Sequence, residues 1–194
     1  MKLILACVFV AVLAGYLARG RLANLAALRI RWLFLAPLGL GMELVPASSR
    51  ILSLTLLFLS FVALSILVLG NIRVSGFAPV LVGLTLNLVV IFANRGMPVT
   101  RHALAASGQE GTLTVLMADG GAKHHLASSS DVLLPLADVI PVPGVNQVLS
   151  LGDVVMDAGI MWVIAAGMRP GRKERPGSRI SPALAFETAE PDRS

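Results

Sequence analysis

The chain has 194 residues, 56% of them hydrophobic and only 14% charged, with a mean hydropathy of +0.81. Charged residues make up about a quarter of an ordinary soluble domain, so this composition excludes one and points to a membrane. The net charge of +5 and pI near 10.3 do not indicate nucleic acid, because aromatic residues are only 5% and the basic residues crowd beside the apolar blocks.

A single cysteine, Cys7, excludes an intramolecular disulfide and a cysteine-rich zinc site. Met1-Lys2 and the apolar run from Leu3 have the outline of a secretory signal, and Leu5-Ala6-Cys7 that of a lipoprotein site. Cys7 comes too early for a full apolar region to precede it, and the run continues through Leu17 to Arg19, so a retained span over 3–17 is expected.

Arg19, Arg21, Arg29 and Arg31 follow, with Leu22 to Leu28 expected as a short helix along the headgroups. A second span over 30–45 begins at the interfacial Trp32 and is interrupted by Pro37, Gly39 and Gly41. The third, 51–69, carries no charge and nearly matches the hydrocarbon thickness of about 30 Å. The fourth, 77–93, puts Gly83, Asn87 and Asn94 on one helical face.

Residues 94–149 are polar enough to leave the bilayer. Thr100 caps a short helix that stops at Gly108, and Thr112 to Met117 alternates like a strand ending at Asp119-Gly120. Val132 to Val142 is too short to cross and holds Pro135 and Pro141, which predicts an interfacial or re-entrant piece. Ser150 and Asp153 form a capping box opening the fifth span, 150–168, and the tail 169–194 has a disordered composition.

Lysine and arginine orient this arrangement. With the N-terminus outside, four arginines of the first loop, Arg73 and six basic residues of the tail lie inside, eleven of the sixteen. The expected protein is therefore an all-α integral membrane protein, with five transmembrane helices in a single domain over 1–168. Its N-terminus and the partly membrane-associated segment 94–149 are extracytoplasmic, and its tail is cytoplasmic.

The Arg-Gly-Arg turn within Gly15 to Leu25, Asn94-Arg95-Gly96-Met97-Pro98-Val99, Lys123-His124-His125-Leu126, Leu136-Ala137-Asp138-Val139-Ile140 and Leu149-Ser150-Leu151-Gly152-Asp153 carry a likeness. In these motifs the chain resembles a bacterial membrane-protein family called domain of unknown function 5317, over most of its length up to about Gly167. The resemblance implies a polytopic membrane protein and brings no activity or functional residue with it.

Two groups of residues are candidate sites. Asp153 and Asp157, four apart on the fifth helix, would form a polar site with Asn87, Asn94, Arg95 and Glu43, because an ionisable group inside a bilayer faces a partner or a wet cavity. The plainer reading makes Asp153 a helix cap, Asp157 a partner of Arg95, Asn87 or Asn94, and Glu43 a snorkelling partner of Arg50. His124, His125 and Asp138 form the extracytoplasmic candidate, but adjacent histidines do not share a helix or strand face, so no metal site is assigned.

No Gly-x-Ser-x-Gly elbow frames Ser128, Ser129, Ser130 or Ser150, and no phosphate-cradling glycine loop or His-Glu-x-x-His pattern occurs. The leading expectation is a non-enzymatic accessory protein that binds the lipid bilayer, a membrane-protein partner or a second copy of itself, without a cofactor and without nucleic acid. A small carrier or channel built on the acidic residues is the alternative, followed by an intramembrane lipid-active enzyme using His124 or His125 with Asp138.

Overall fold

The computed structural model describes residues 2–46, 49–119 and 121–170. The tail expected to be disordered lies outside them from residue 171 on. Helix α1 (Lys2–Leu17) leads through the short α2 (Leu22–Ala26) to α3 (Leu35–Leu44), α4 (Arg50–Gly70) and α5 (Phe77–Asn94). After a polar segment comes α8 (Leu151–Gly167). Two of these helices, α4 and α5, are long and apolar enough to cross a membrane, and α1 and α3 are shorter apolar helices.

The helices lie side by side in the order α3, α4, α5, α8, α1. Their directions follow from hydrogen bonds at the ends. Gln147 Oε1 accepts from the Leu3 N–H at 3.2 Å, and Arg50 donates to the Arg95 carbonyl at 3.2 Å. At the other end Arg21 N–H and Asn24 both donate to the Met168 carbonyl, while Asn71 grips the backbone of Arg31. Residues 3, 43–46, 49–50, 94–119 and 121–151 therefore share one end, and 18–34, 70–77 and 167–170 the other.

The closest seam is between α5 and α8. Gly83 and Gly152 meet backbone to backbone, Gly76 and Gly159 repeat the approach two turns away, and Leu84, Val80, Phe77 and Val163 bury themselves alongside. Small residues allow this approach, and the dispersion contacts it permits need no water to drive them. At the head of α8, Ser150 and Asp153 form the capping box expected from their spacing.

The polar segment is folded rather than merely extended along the bundle. Helix α5 ends with Arg95 in the left-handed region (φ 53°) and the Gly96 N–H returning to Ile91 O at 2.9 Å, a Schellman closure. Gly96 itself has φ 142°, a conformation side chains rarely adopt. The chain then enters β1 (Met97–Val99), which is fully buried and pairs in parallel with β2 (His124–Leu126). On its other side β1 bridges to Asp138: Pro98 O accepts from Asp138 N–H at 3.1 Å, and Thr100 N–H donates to Asp138 O at 3.2 Å. A second pair, β3 (Ile140–Val142) with β4 (Gln147–Leu149), is antiparallel and leads into α8.

These strands correct the all-α expectation: the protein is mostly helical, and the described residues include four three-residue strands. Each is too short to produce readable alternation, and the β1–β2 pairing joins residues 27 apart, as in Met97 with His124. Thr100 caps α6 (Arg101–Ala106) by accepting from Ala103 N–H at 3.3 Å, as its sequence implies. The strand expected over Thr112 to Met117 is instead part of helix α7 (Glu110–Asp119). Leu113 and Leu116, three apart, are its partly buried residues, and the Thr114 hydroxyl is satisfied within the helix by Glu110 O at 3.0 Å. Val132 to Val142 forms a 3-10 turn (Leu134–Leu136) followed by β3, with Leu136 and Val139 packed onto the bundle core.

Candidate functional site

Where the polar segment meets the ends of α3 and α4 it leaves a cavity of about 650 Å³. Leu44, Val45, Leu104, Leu116 and Val148 make its apolar walls, and Glu43, Ser53, Lys123, His124, Asp138 and Gln147 its polar ones. Lys123 Nζ donates to the Glu43 carbonyl, which closes the polar segment against the end of α3. The Glu43 carboxylate turns inward and accepts from the buried Ser60 hydroxyl at 2.9 Å. Glu43 thus bonds to α4 and not to Arg50, whose guanidinium reaches the Arg95 carbonyl instead.

Strand β2 sends its two histidines to opposite sides, as period-two geometry requires. His124 faces the cavity with Nε2 3.6 Å from Asp138 Oδ2. Its side chain is about half exposed into this open cavity, and desolvation by the surrounding protein lowers its pKa below the usual 6.5. Asp138 is 7% exposed, and burial, followed by the nearby Asp153 charge, pushes its carboxyl up to about 8. Both groups are therefore mostly neutral at pH 7. At 3.6 Å they are also too far apart for a direct hydrogen bond, so they form no ion pair there.

His125 points the other way, its Nε2 3.0 Å from Asp131 Oδ1. The backbone N–H and hydroxyl of Ser128 complete the shell of Asp131. Burial acts to raise the Asp131 pKa, but the hydrogen bonds from His125 and Ser128 outweigh it and hold the carboxyl below its ordinary value. Asn94 fastens this loop to α5, exchanging two bonds with the Val132 backbone at 2.8 and 3.0 Å.

A second polar cluster sits at the head of α8. Asn87 donates to Asp153 Oδ1 at 2.7 Å and accepts from the buried Ser150 hydroxyl at 2.8 Å, while Asp153 Oδ2 accepts from Ser150 N–H. Removing one member leaves the others buried without partners, at a cost of about 1–3 kcal/mol per group. Asp157 is not part of this cluster. Among the described residues it makes no hydrogen bond to Arg95, Asn87 or Asn94, and it faces α1 within electrostatic range of Cys7.

A family model for a family of unknown function, DUF5317, matches residues 25–165. The chain belongs to this family. Every candidate site residue, from Glu43 to Asp157, lies within the range that DUF5317 covers, whereas α1 and the Arg19-Gly20-Arg21 turn precede it. No curated protein and no solved structure matches the chain.

The structure thus redistributes the two sequence-level groups. Glu43, His124 and Asp138 share the cavity, Asn87 and Asp153 share the α8 cap, and Asn94 and His125 brace the loop over 125–132. Among the described residues no cluster of three metal-binding side chains occurs. Lys123 and Asp131 carry roles that the sequence did not assign. Ser128 and Asp131 had the composition of a local turn, but nothing near Lys123 announces a partner 80 residues away.

Proposed function

We propose that the chain is a non-enzymatic inner-membrane protein of five spans whose cavity between the bundle and the polar segment holds a lipid or similar amphiphile. The observation carrying this is the 650 Å³ cavity itself, within the range of small-molecule sites, with an apolar side and a polar side bearing Lys123, His124 and Asp138. An acyl chain would lie against Leu44, Leu104 and Leu116 while a headgroup meets the Lys123 and His124 side.

The membrane reading is supported by exposed apolar side chains on α1, α3, α4, α5 and α8, among them Phe9, Leu44, Ile51, Phe92 and Trp162, each more than half exposed. The alternating helix directions support a five-pass reading in which the polar segment and the N-terminus lie on the same side. A carrier would need a polar cavity reaching Asp157, and among the described residues the cavity lining includes neither Asp153 nor Asp157. An enzyme built on His124 would need a nucleophile beside it, and no described hydroxyl hydrogen-bonds to that ring.

Filling the cavity tests the reading. Leu116→Trp should abolish retention of a lipid that co-purifies with the parent chain, seen by native mass spectrometry, while leaving the thermal transition within a few degrees. Equal retention by both proteins would end the proposal. Orientation is tested separately with Ser129→Cys in a Cys7→Ser background: a membrane-impermeant maleimide should label intact cells, and labelling only after lysis would reverse the topology.

A further inference from the structure

We propose that the opposite end of the bundle is a binding surface for anionic phospholipid headgroups, with Arg31 stacked on Trp32 as its fixed centre. The proposal rests on the membrane reading above but not on the cavity. Arg19, Arg21, Arg29, Arg31, Arg73 and Arg169 are all exposed at this end. The stretches that form it, 18–34, 70–77 and 167–170, contain no aspartate or glutamate, and among the described residues no arginine takes part in a salt bridge. The other end, by contrast, mixes Arg50, Arg95, Arg101 and Lys123 with Glu43, Glu110, Asp131, Asp138 and Asp153. Six cations with no described acid beside them complement an anionic surface.

What makes this more than a charge bias is how firmly one arginine is held. The Arg31 guanidinium lies 5.0 Å from the centroid of the Trp32 ring. The buried Asn71 side chain takes the Arg31 N–H and donates to the Arg31 carbonyl, both at 2.8 Å, and adds a third bond to Leu67 O. Trp32 has φ 56°, a backbone region costly for any residue with a side chain, and its ring seats over Gly70, where a Cβ would come within 2.6 Å of it. A strained backbone kept in place by a buried asparagine is a typical mark of a preorganised site.

Held over the indole, the guanidinium keeps its N–H edges free for two phosphate oxygens, since among the described residues the Arg31 side chain makes no hydrogen bond. Trp32 is itself 44% exposed, and Leu33 and Phe34 beside it are 56% and 65% exposed. That apolar rim favours a phosphate carrying acyl chains over a soluble one, since tryptophan and its apolar neighbours belong at the headgroup boundary.

The test uses the full chain in detergent micelles, with Trp162→Phe leaving Trp32 as the single tryptophan. Phosphatidylglycerol should give a saturable change in Trp32 emission, and phosphatidylcholine and inorganic phosphate should not. Arg73→Gln should weaken the titration about fivefold, following about 1 kcal/mol per basic residue near a lipid surface. Arg31→Gln should weaken it more than tenfold, and Arg31→Lys, which keeps charge but loses the planar stack, should fall between. Arg50→Gln, at the other end, should titrate like the parent. Equal responses to both lipids, saturation by inorganic phosphate alone, or an unchanged titration for Arg31→Gln or Arg31→Lys would overturn the proposal. A parent chain that stays monodisperse without detergent would instead sink the membrane reading beneath it.

Discussion

Gly83→Leu abolishes the cooperative thermal transition of the purified chain, because α5 and α8 can no longer dock. A Cβ at Gly83 would collide with the Gly152 carbonyl and lie 2.7 Å from both Met156 N and Cβ. Two of those atoms are backbone, so no rotamer change relieves the clash, and the helices must separate. Overpacking a core costs about 1–3 kcal/mol when side chains can shift, and more where backbone must move. Separation would also break the Asn87, Asp153 and Ser150 bonds that cross the same seam. Gly152→Ala should be nearly as severe, since its Cβ meets the Asn87 amide and lies 2.8 Å from the Gly83 carbonyl. Gly41→Ala and Gly144→Ala are the controls: nothing lies within 4 Å of either Cβ. Gly41→Ala, inside α3, should be neutral or stabilise by up to about 1 kcal/mol through helix propensity. A Gly83→Leu chain melting within a few degrees of the parent, followed by circular dichroism in detergent, would refute the close seam.

Asp138→Asn should stabilise the protein in alkaline solution and leave it unchanged in acid. The carboxyl has an ordinary value of 3.8 and a folded value of about 8, raised first by burial and then by Asp153. An unfolded chain therefore releases this proton near pH 4, while the folded chain keeps it until about pH 8. Between those limits unfolding releases a proton, so this residue's contribution to stability declines as pH rises and levels off above about 8. Asparagine has no proton to lose and keeps the shape of the neutral acid. Parent and variant should melt together near pH 4, and at about pH 9 the variant should be higher by roughly 5 °C or more, equivalent to about 2 kcal/mol in a chain of this size. Identical differences at both pH values would mean that Asp138 is already ionised at neutrality and that His124 faces an anion.

The same titration bears on the cavity. Near pH 7 its polar side presents a neutral acid, an imidazole whose charge is disfavoured by desolvation, and Lys123, and above about pH 8 Asp138 adds a negative charge 3.6 Å from His124. An anionic headgroup would lose affinity over that range. A zwitterionic or neutral one would lose less.

The sequence by itself determined the apolar helices, the caps at Thr100 and Ser150 and the partition of arginines between the two ends, but the helix expected from residue 30 begins only at Leu35, after a turn over 31–34. Each is a local property: an uninterrupted apolar run, a hydroxyl two or three residues ahead of an orphan N–H, a charge that must stay wet. Even the divergence of His124 and His125 follows from their being adjacent. The helix over Glu110 to Asp119 was not legible, because the six residues Thr112 to Met117, of Thr, Leu, Val and Met, fit period two as well as a three-residue spacing, and only packing of Leu113 and Leu116 decides between them. Tertiary structure alone decided that β1 is a buried central strand, that Lys123 closes onto Glu43, that Asp138 loses its charge and that Asn71 holds Arg31 against Trp32. All of these are meetings between residues tens of positions apart. Their energies come from water excluded when the polar segment folds onto the bundle, a quantity that no short window of sequence contains.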